Sequence, residues 1–480
     1  MRFRILLSCI GLIVGLASIM LACGHSFDEP SIDSVTPSRG QPGSPVTILG
    51  ENLLDIYSQT TIEIAGTEIN SREFFDIEDE RIRFRIPDDV FSGDLRVEVG
   101  DKGSNAVPFE VVGSWLYVLH QSSTGMTALD THVQRVEETF ELPAVPTNIV
   151  FSYDGRHAYA IHANDNTISV IRSFDNSIIT TIPVALKPLT GASIPDLDNP
   201  YVVILHEESD SVTIIDTERN DRATEIPLEC PATSIAVTSD GEQAFVACRE
   251  ERMLYNIDMD DLEISEATPL EFRPGKMEVG PGDEGLFILN DADNALTVVD
   301  LPDIEDQDTI TFEIQPVDFA VSLSFGRAIV IHQDNTASIV RLGGPELLET
   351  LEVGIEPVAV ALEPFERYAF VANRQSRNLS VIDVGERTNI MTIDLEASPL
   401  ALKVMETALG NWLYIINEQA PWLSVVSLGQ YDVDEDEEPN PAFFSFLTSV
   451  DIDANPIGIE VQEIHRRPAA EEGFPESGIP

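Results

Sequence analysis

Four of the eight histidines in this 480-residue chain, His120, His162, His206 and His332, recur at intervals of 42, 44 and three times 42 residues. Imidazoles brought around one axis suit Zn or Cu, which makes these four the candidate metal ligands. Direct coordination needs each ring nitrogen within about 2.0–2.1 Å of one ion, and a wide ring of repeats makes that hard. The same register holds Cys248 and Asn290 before His332, and Asn373 and Asn417 after it. Asparagine in such a place ties down a turn, and histidine hydrogen-bonds in the same way. The spacing is that of a repeat, not of a recognised metal motif.

Cys230 precedes Pro231, and Cys248 ends the next apolar run. Folding that hairpin about Asp240 pairs position 232 with 248 and sets Cys230 diagonally beside Cys248, a disulfide candidate in an oxidising compartment. Lysine occurs only at Lys102, Lys187, Lys276 and Lys403. Lys187 and Arg273 stand immediately before Pro188 and Pro274, with Lys276 just beyond. So shared a position for scarce cations suggests an anion site, against which stands chance placement. The acidic run Asp432–Glu438 lacks the glycine and the bidentate glutamate of a calcium loop and reads as solvated. The chain has no G-x-S-x-G, H-E-x-x-H or P-loop, so no catalytic residue and no cofactor is assigned.

The elements that position these residues are repeated. Tyr117, Tyr159, Val203, Phe245, Phe287, Ile329, Phe370 and Tyr414 mark the middle of one strand in eight units 41 to 44 residues long. Pro146, Pro188, Pro231, Pro274, Pro316, Pro357, Pro399 and Pro456 form a second ruler, stretched only in its last interval. Asp130, Arg172, Asp216, Asp258, Asp300, Arg341, Asp383 and Ser427 form a third. Units of this length with four short strands predict propeller blades over 114–464. Phe370-Val-Ala-Asn373 and Val381-Ile-Asp383 resemble the YVTN-type β-propeller repeat of exported surface proteins, in which seven blades are common. The count here predicts eight, with seven the alternative. The first unit lacks the strand that the others carry after their proline, and a spare copy lies at Pro456–Ile464. That last strand is therefore expected to complete the first blade and remove two open edges.

Upstream, residues 29–112 alternate in short runs broken by Pro and Gly, an all-β sandwich pattern. The string Ile32, Val35, Pro37, Gly40, Gly43, Val46-Thr-Ile48, Gly50, Leu53 resembles the IPT/TIG immunoglobulin-like domain, which in its relatives is a spacer or binding module. At the amino terminus, Arg2 and Arg4 precede an apolar run, and residues 1–22 read as a signal peptide. Ile19-Met20-Leu21-Ala22-Cys23-Gly24 resembles the lipobox of bacterial lipoproteins, which implies lipidation at Cys23, a tether over 23–28 and a membrane partner. Residues 465–480, polar and rich in Pro and Gly, read as a disordered tail.

With 83 acidic against 28 basic residues the net charge is −55, which repels phosphate backbones and excludes nucleic-acid binding. The expected protein is an exported cell-envelope lipoprotein that presents one propeller rim to a protein or glycan ligand. The alternatives are a propeller enzyme, either a lactonase-like hydrolase or a redox metalloprotein, and a structural component of a surface layer.

Overall fold

The computed structural model describes residues 29–462, except 43, 56–57, 70–73, 88–89, 91, 112–113, 132, 174, 284, 291, 302–303, 305–306, 323, 343, 345, 408–409, 430–440, 442–443 and 453–454. The signal segment, Cys23, the tether, the run Asp432–Glu438 and the tail lie outside the described residues. The chain divides into two units, Met1–Val112 and Gly113–Pro480. The described residues contain no α-helix.

The first unit is two sheets face to face. One has the order Ser31–Thr36, Pro45–Glu51, Arg81–Arg85, Phe74–Glu78. The other runs Arg39–Gly40, Val107–Val111, Gly93–Val99, Thr60–Ile64, Thr67–Glu68, with Lys102–Gly103 beside Gly93–Val99. Alternate residues of both, among them Val46, Ile48, Ile62, Ile82, Phe84, Leu95 and Val97, bury into one apolar core, as strands with one solvated face must. Phe74–Glu78 is a strand that the sequence pattern does not announce. At Gly50 a Cβ atom would lie 2.0 Å from the Ser31 carbonyl oxygen, so no larger residue fits this close strand crossing. The register slips beside it, between Ile32 and Ser34, and there Asn105 stands in for a strand. Its side chain accepts from the Ile32 amide at 2.7 Å and donates to the Ile32 carbonyl at 3.0 Å.

The second unit forms eight four-stranded antiparallel sheets among the described residues, one for each repeat. The first strand of each lies innermost, and neighbouring sheets meet through these strands in chain order, Pro316–Ser322 doing so against the second strand Gly285–Asn290 of the sheet before it, until Pro399–Thr407 meets Pro456–Val461, which meets Asn148–Phe151. The ring is thereby closed, as a propeller. Second and third strands are almost wholly buried, as in Tyr368–Asn373, because sheets cover them on both faces. Fourth strands are mostly exposed, as in Glu346–Glu352. Between third and fourth strands a bulge recurs, for example at Val170/Ile171, Ile214/Ile215 and Val381/Ile382. Bulges raise the local twist, which a sheet wedged into a ring requires.

Closure follows the expected route. Pro456–Val461 pairs antiparallel with Trp115–His120 and supplies the inner strand missing from the first repeat. Gln462 accepts the Trp115 amide at 2.9 Å and donates to the Gly155 carbonyl at 2.6 Å, joining the first sheet to the second.

Candidate functional site: the proline rim of the propeller

The first ruler is also a set of latches. The Tyr159 hydroxyl donates to Asn220 in the next sheet at 2.9 Å, Tyr117 bonds Asn176 likewise, and Tyr414 in the last sheet exchanges hydrogen bonds with Gln134 in the first. The recipients sit in outer hairpins at positive φ, a conformation that amide side chains tolerate. Burial holds the Tyr117 and Tyr159 hydroxyls protonated, so they remain donors. The third ruler caps those hairpins: Asp216 accepts from the amides of Glu218 and Arg219, and Asp258 from Asp260 and Asp261. Where the ruler carries Arg172, Asp175 takes over, accepting from the Ser177 amide while Arg172 pairs with it at 3.2 Å.

The second ruler and the histidine positions meet at one rim. His206, His332, Asn373, Asn417 and His120 lie opposite Pro188, Pro316, Pro357, Pro399 and Pro456 across the first two strands of their sheets. All four candidate histidines are buried. Each directs Nε2 to a hydroxyl on the third strand of its own sheet at 2.8 Å: His120 to Thr127, His162 to Ser169, His206 to Thr213 and His332 to Ser338. The amides of Asn373 and Asn417 donate to Ser380 and Ser424 in the same place, at 3.0 Å. Nδ1 of the histidines is buried without a close hydrogen bond. The carbonyls of Val145, Leu186 and Ile314, in the loops ahead of the prolines, face the rings of His162, His206 and His332.

Desolvation holds the four imidazoles below their ordinary pKa and therefore neutral near pH 7. A proton on Nδ1, toward the loop carbonyl, leaves Nε2 to accept from the hydroxyl. Each ring thus ties its second strand to its third, and those of His162, His206 and His332 also face a carbonyl of the loop above. The structure does not gather His120, His162, His206 and His332 around a point, and no group of three or more His, Cys, Asp or Glu side chains fit to hold a metal occurs among the described residues. The turn-tying alternative is what the geometry carries.

Cys248 occupies the same position in the fourth sheet, where the bond is covalent: its sulfur joins Cys230, with Cα atoms 6.1 Å apart. The register pairs Ser234 with Ala247, one residue from the expected alignment of 232 with 248, because the Ser239-Asp240-Gly241 turn is offset by one. The diagonal relation survives that shift. The Tyr255 hydroxyl, standing where other sheets have Ser or Thr, accepts the Glu229 amide at 3.2 Å and lies 3.7 Å from the Cys230 sulfur.

The three cations do not converge. Arg273 pairs with Glu250 at 3.0 Å. Lys276 is held by Asp318 at 2.8 Å and by the Phe319 carbonyl at 2.7 Å, over the Phe319 ring. Lys187 stands two sheets away, its amide bonded to Asn166 at 2.8 Å. The rim also exposes apolar side chains among its charges: Leu186, Ile314 and Ile355, each two residues ahead of its proline, stand in solvent beside exposed acids such as Glu313 and Glu356. Sequence reasoning missed these three, although their common offset from the proline ruler was visible.

The geometry defines an immunoglobulin-like sandwich and, after it in the chain, a β-propeller. Residues 30–111 match the family described as IPT/TIG domain. No curated protein has a significant sequence match to the chain. Among solved structures it is similar to dihydro-heme d1 dehydrogenase NirN in complex with DHE, at 13% identity and a TM-score of 0.58, over 72% of this chain and 75% of that one. It is also similar to apo AztD from Citrobacter koseri, at 12% identity and a TM-score of 0.53, over 72% of this chain and 97% of that one. At such identity the likeness is one of fold.

Proposed function

We propose that the protein is an exported cell-envelope lipoprotein, anchored through Cys23, that acts as a binding or scaffold module through the proline rim of a propeller built from YVTN-type repeats. One observation carries this reading: on that rim the polar ring positions are turned inward and bonded within their own sheets, while the loops above them hold Leu186, Ile314 and Ile355 in solvent. Contacts of that kind suit a protein surface or the apolar face of a glycan better than bond-breaking chemistry.

Two measurements test it. Cys23→Ser is expected to move the protein from the membrane to the soluble fraction and to abolish incorporation of labelled fatty acid. Binding of the full-length protein to isolated cell envelopes is expected to fall at least tenfold in a Leu186→Asp, Ile314→Asp, Ile355→Asp variant. Unchanged binding by a folded variant would remove the rim from consideration. Stoichiometric metal in the purified protein, lost on joint replacement of His162 and His206, would favour the redox metalloprotein instead.

A further inference from the structure

Two of the rim loops are the same device. In 184–188 and 353–357 an apolar residue stands two places ahead of the proline, Leu186 at 56% and Ile355 at 50% exposure. The residue between it and the proline, Lys187 or Glu356, has φ of 54° or 60°. A side chain before proline rarely adopts that conformation, so it persists only where its surroundings enforce it. Here the same bonds do so twice. The amides of Val184 and Lys187 donate to the carbonyl and the side chain of Asn166, at 3.0 and 2.8 Å. Those of Val353 and Glu356 donate to Asn335 at the same two distances. The carbonyls of Lys187 and Glu356 then accept the amides of Glu207 and Arg374, both at 2.8 Å. Each loop holds one apolar knob in solvent beside a charge of its own, Lys187 in the first and, in the second, Glu356, whose carboxylate also pairs with the Arg374 side chain at 2.9 Å.

The knobs belong to the third and seventh sheets, four places apart around the closed ring, and therefore lie across it from one another. Their charges are opposite. A two-fold axis in the plane of the rim, running through the first and fifth sheets, turns one rim onto another and exchanges the third sheet with the seventh. Leu186 of one copy then meets Ile355 of the second, and Lys187 meets Glu356, twice in each pair. Leu116, near the start of its strand, and Val461, the end of the closing strand, are paired at the other rim. For a chain of net charge −55, like surfaces repel, so a contact between copies needs apolar area and one of the few lysines placed opposite an acid.

We infer that the proline rim docks on the proline rim of a second copy of this chain, forming a closed, isologous dimer through Leu186, Lys187, Ile355 and Glu356. This rests on the reading of that rim as the binding surface and names its occupant.

Sedimentation velocity and cysteine cross-linking on the full-length protein test the dimer. Lys187→Glu or Glu356→Lys alone is expected to weaken it about tenfold, since two exposed pairs are reversed at once. The double swap Lys187→Glu with Glu356→Lys is expected to restore it. Leu186→Cys combined with Ile355→Cys should give an oxidant-induced dimer band that neither single variant gives. A protein monomeric at high micromolar concentration, or a dimer indifferent to all the charge variants, would overturn the inference. If envelope binding still depends on the three apolar rim residues in that case, the rim reading stands and only the second copy is wrong. If it does not, both fall.

Discussion

Burying an imidazole is tolerable only while it stays neutral, and that sets a pH signature for this chain. In the folded state His120, His162, His206 and His332 have pKa values held down by desolvation, so the unfolded chain takes up protons first as pH falls below the ordinary value of 6.5. Their contribution to stability is complete above that pH and is lost as it falls. Burial holds the Glu278 carboxyl above its ordinary range, with Lys276 opposing the shift, which gives a contribution of the reverse sign. These four histidines, with His157, whose pKa burial also lowers, therefore dominate between pH 7 and pH 5.5. His162→Asn should leave the pH 7 melting point nearly unchanged, because Asn373 and Asn417 make the same bond in their own sheets. It should also reduce the pH dependence of stability by up to about 1.4 kcal/mol per pH unit. Denaturant titrations at the two pH values measure this, and an unaltered slope would contradict the role given to the ring. The recurrence of these residues was legible in the sequence. Their direction was not, because repeat phase gives a rim but says nothing of whether a side chain points to the axis or back into its own sheet.

The single sheet shows how one position accepts different chemistry. The second-strand terminus must be tied to the strand beside it, and His, Asn or a disulfide each does so within the same backbone. In the fourth sheet Cys230 and Cys248 are 18 residues apart, and removing the cross-link by Cys230→Ser with Cys248→Ser should cost about 3 kcal/mol in the chain-entropy account. Calorimetry with and without reductant measures it, and an equal transition in both would exclude the bond. The outer hairpins are held from the sheet before them. Tyr159→Phe strips Asn220 of its donor and should cost about 1–2 kcal/mol. Strand patterning made these sheets visible; the interlocking of neighbours did not show, because tyrosine and its amide partner belong to adjacent repeats about 60 residues apart, and repeat phase does not say which positions of neighbouring sheets meet.

At the scale of the whole molecule, stability depends on closing the ring. A chain ended after Asn455 leaves Trp115–His120 with an unpaired edge in a wholly buried strand. We expect it to lose more than about 4 kcal/mol and to melt in a broader transition. A truncated chain with the full-length melting curve would mean that Pro456–Val461 does not carry the closure. The sequence alone determined the two units, the repeat and the strand that closes it, because period-2 burial and a roughly 42-residue recurrence are properties of the chain itself. Tertiary structure decided what the recurrent residues do. Whether a rim histidine binds a metal or a neighbouring serine, whether three cations meet or find separate acids, and which apolar residues are left in water all depend on distances between segments far apart in the chain. Those distances are set by packing around the ring, and local pattern holds no record of them.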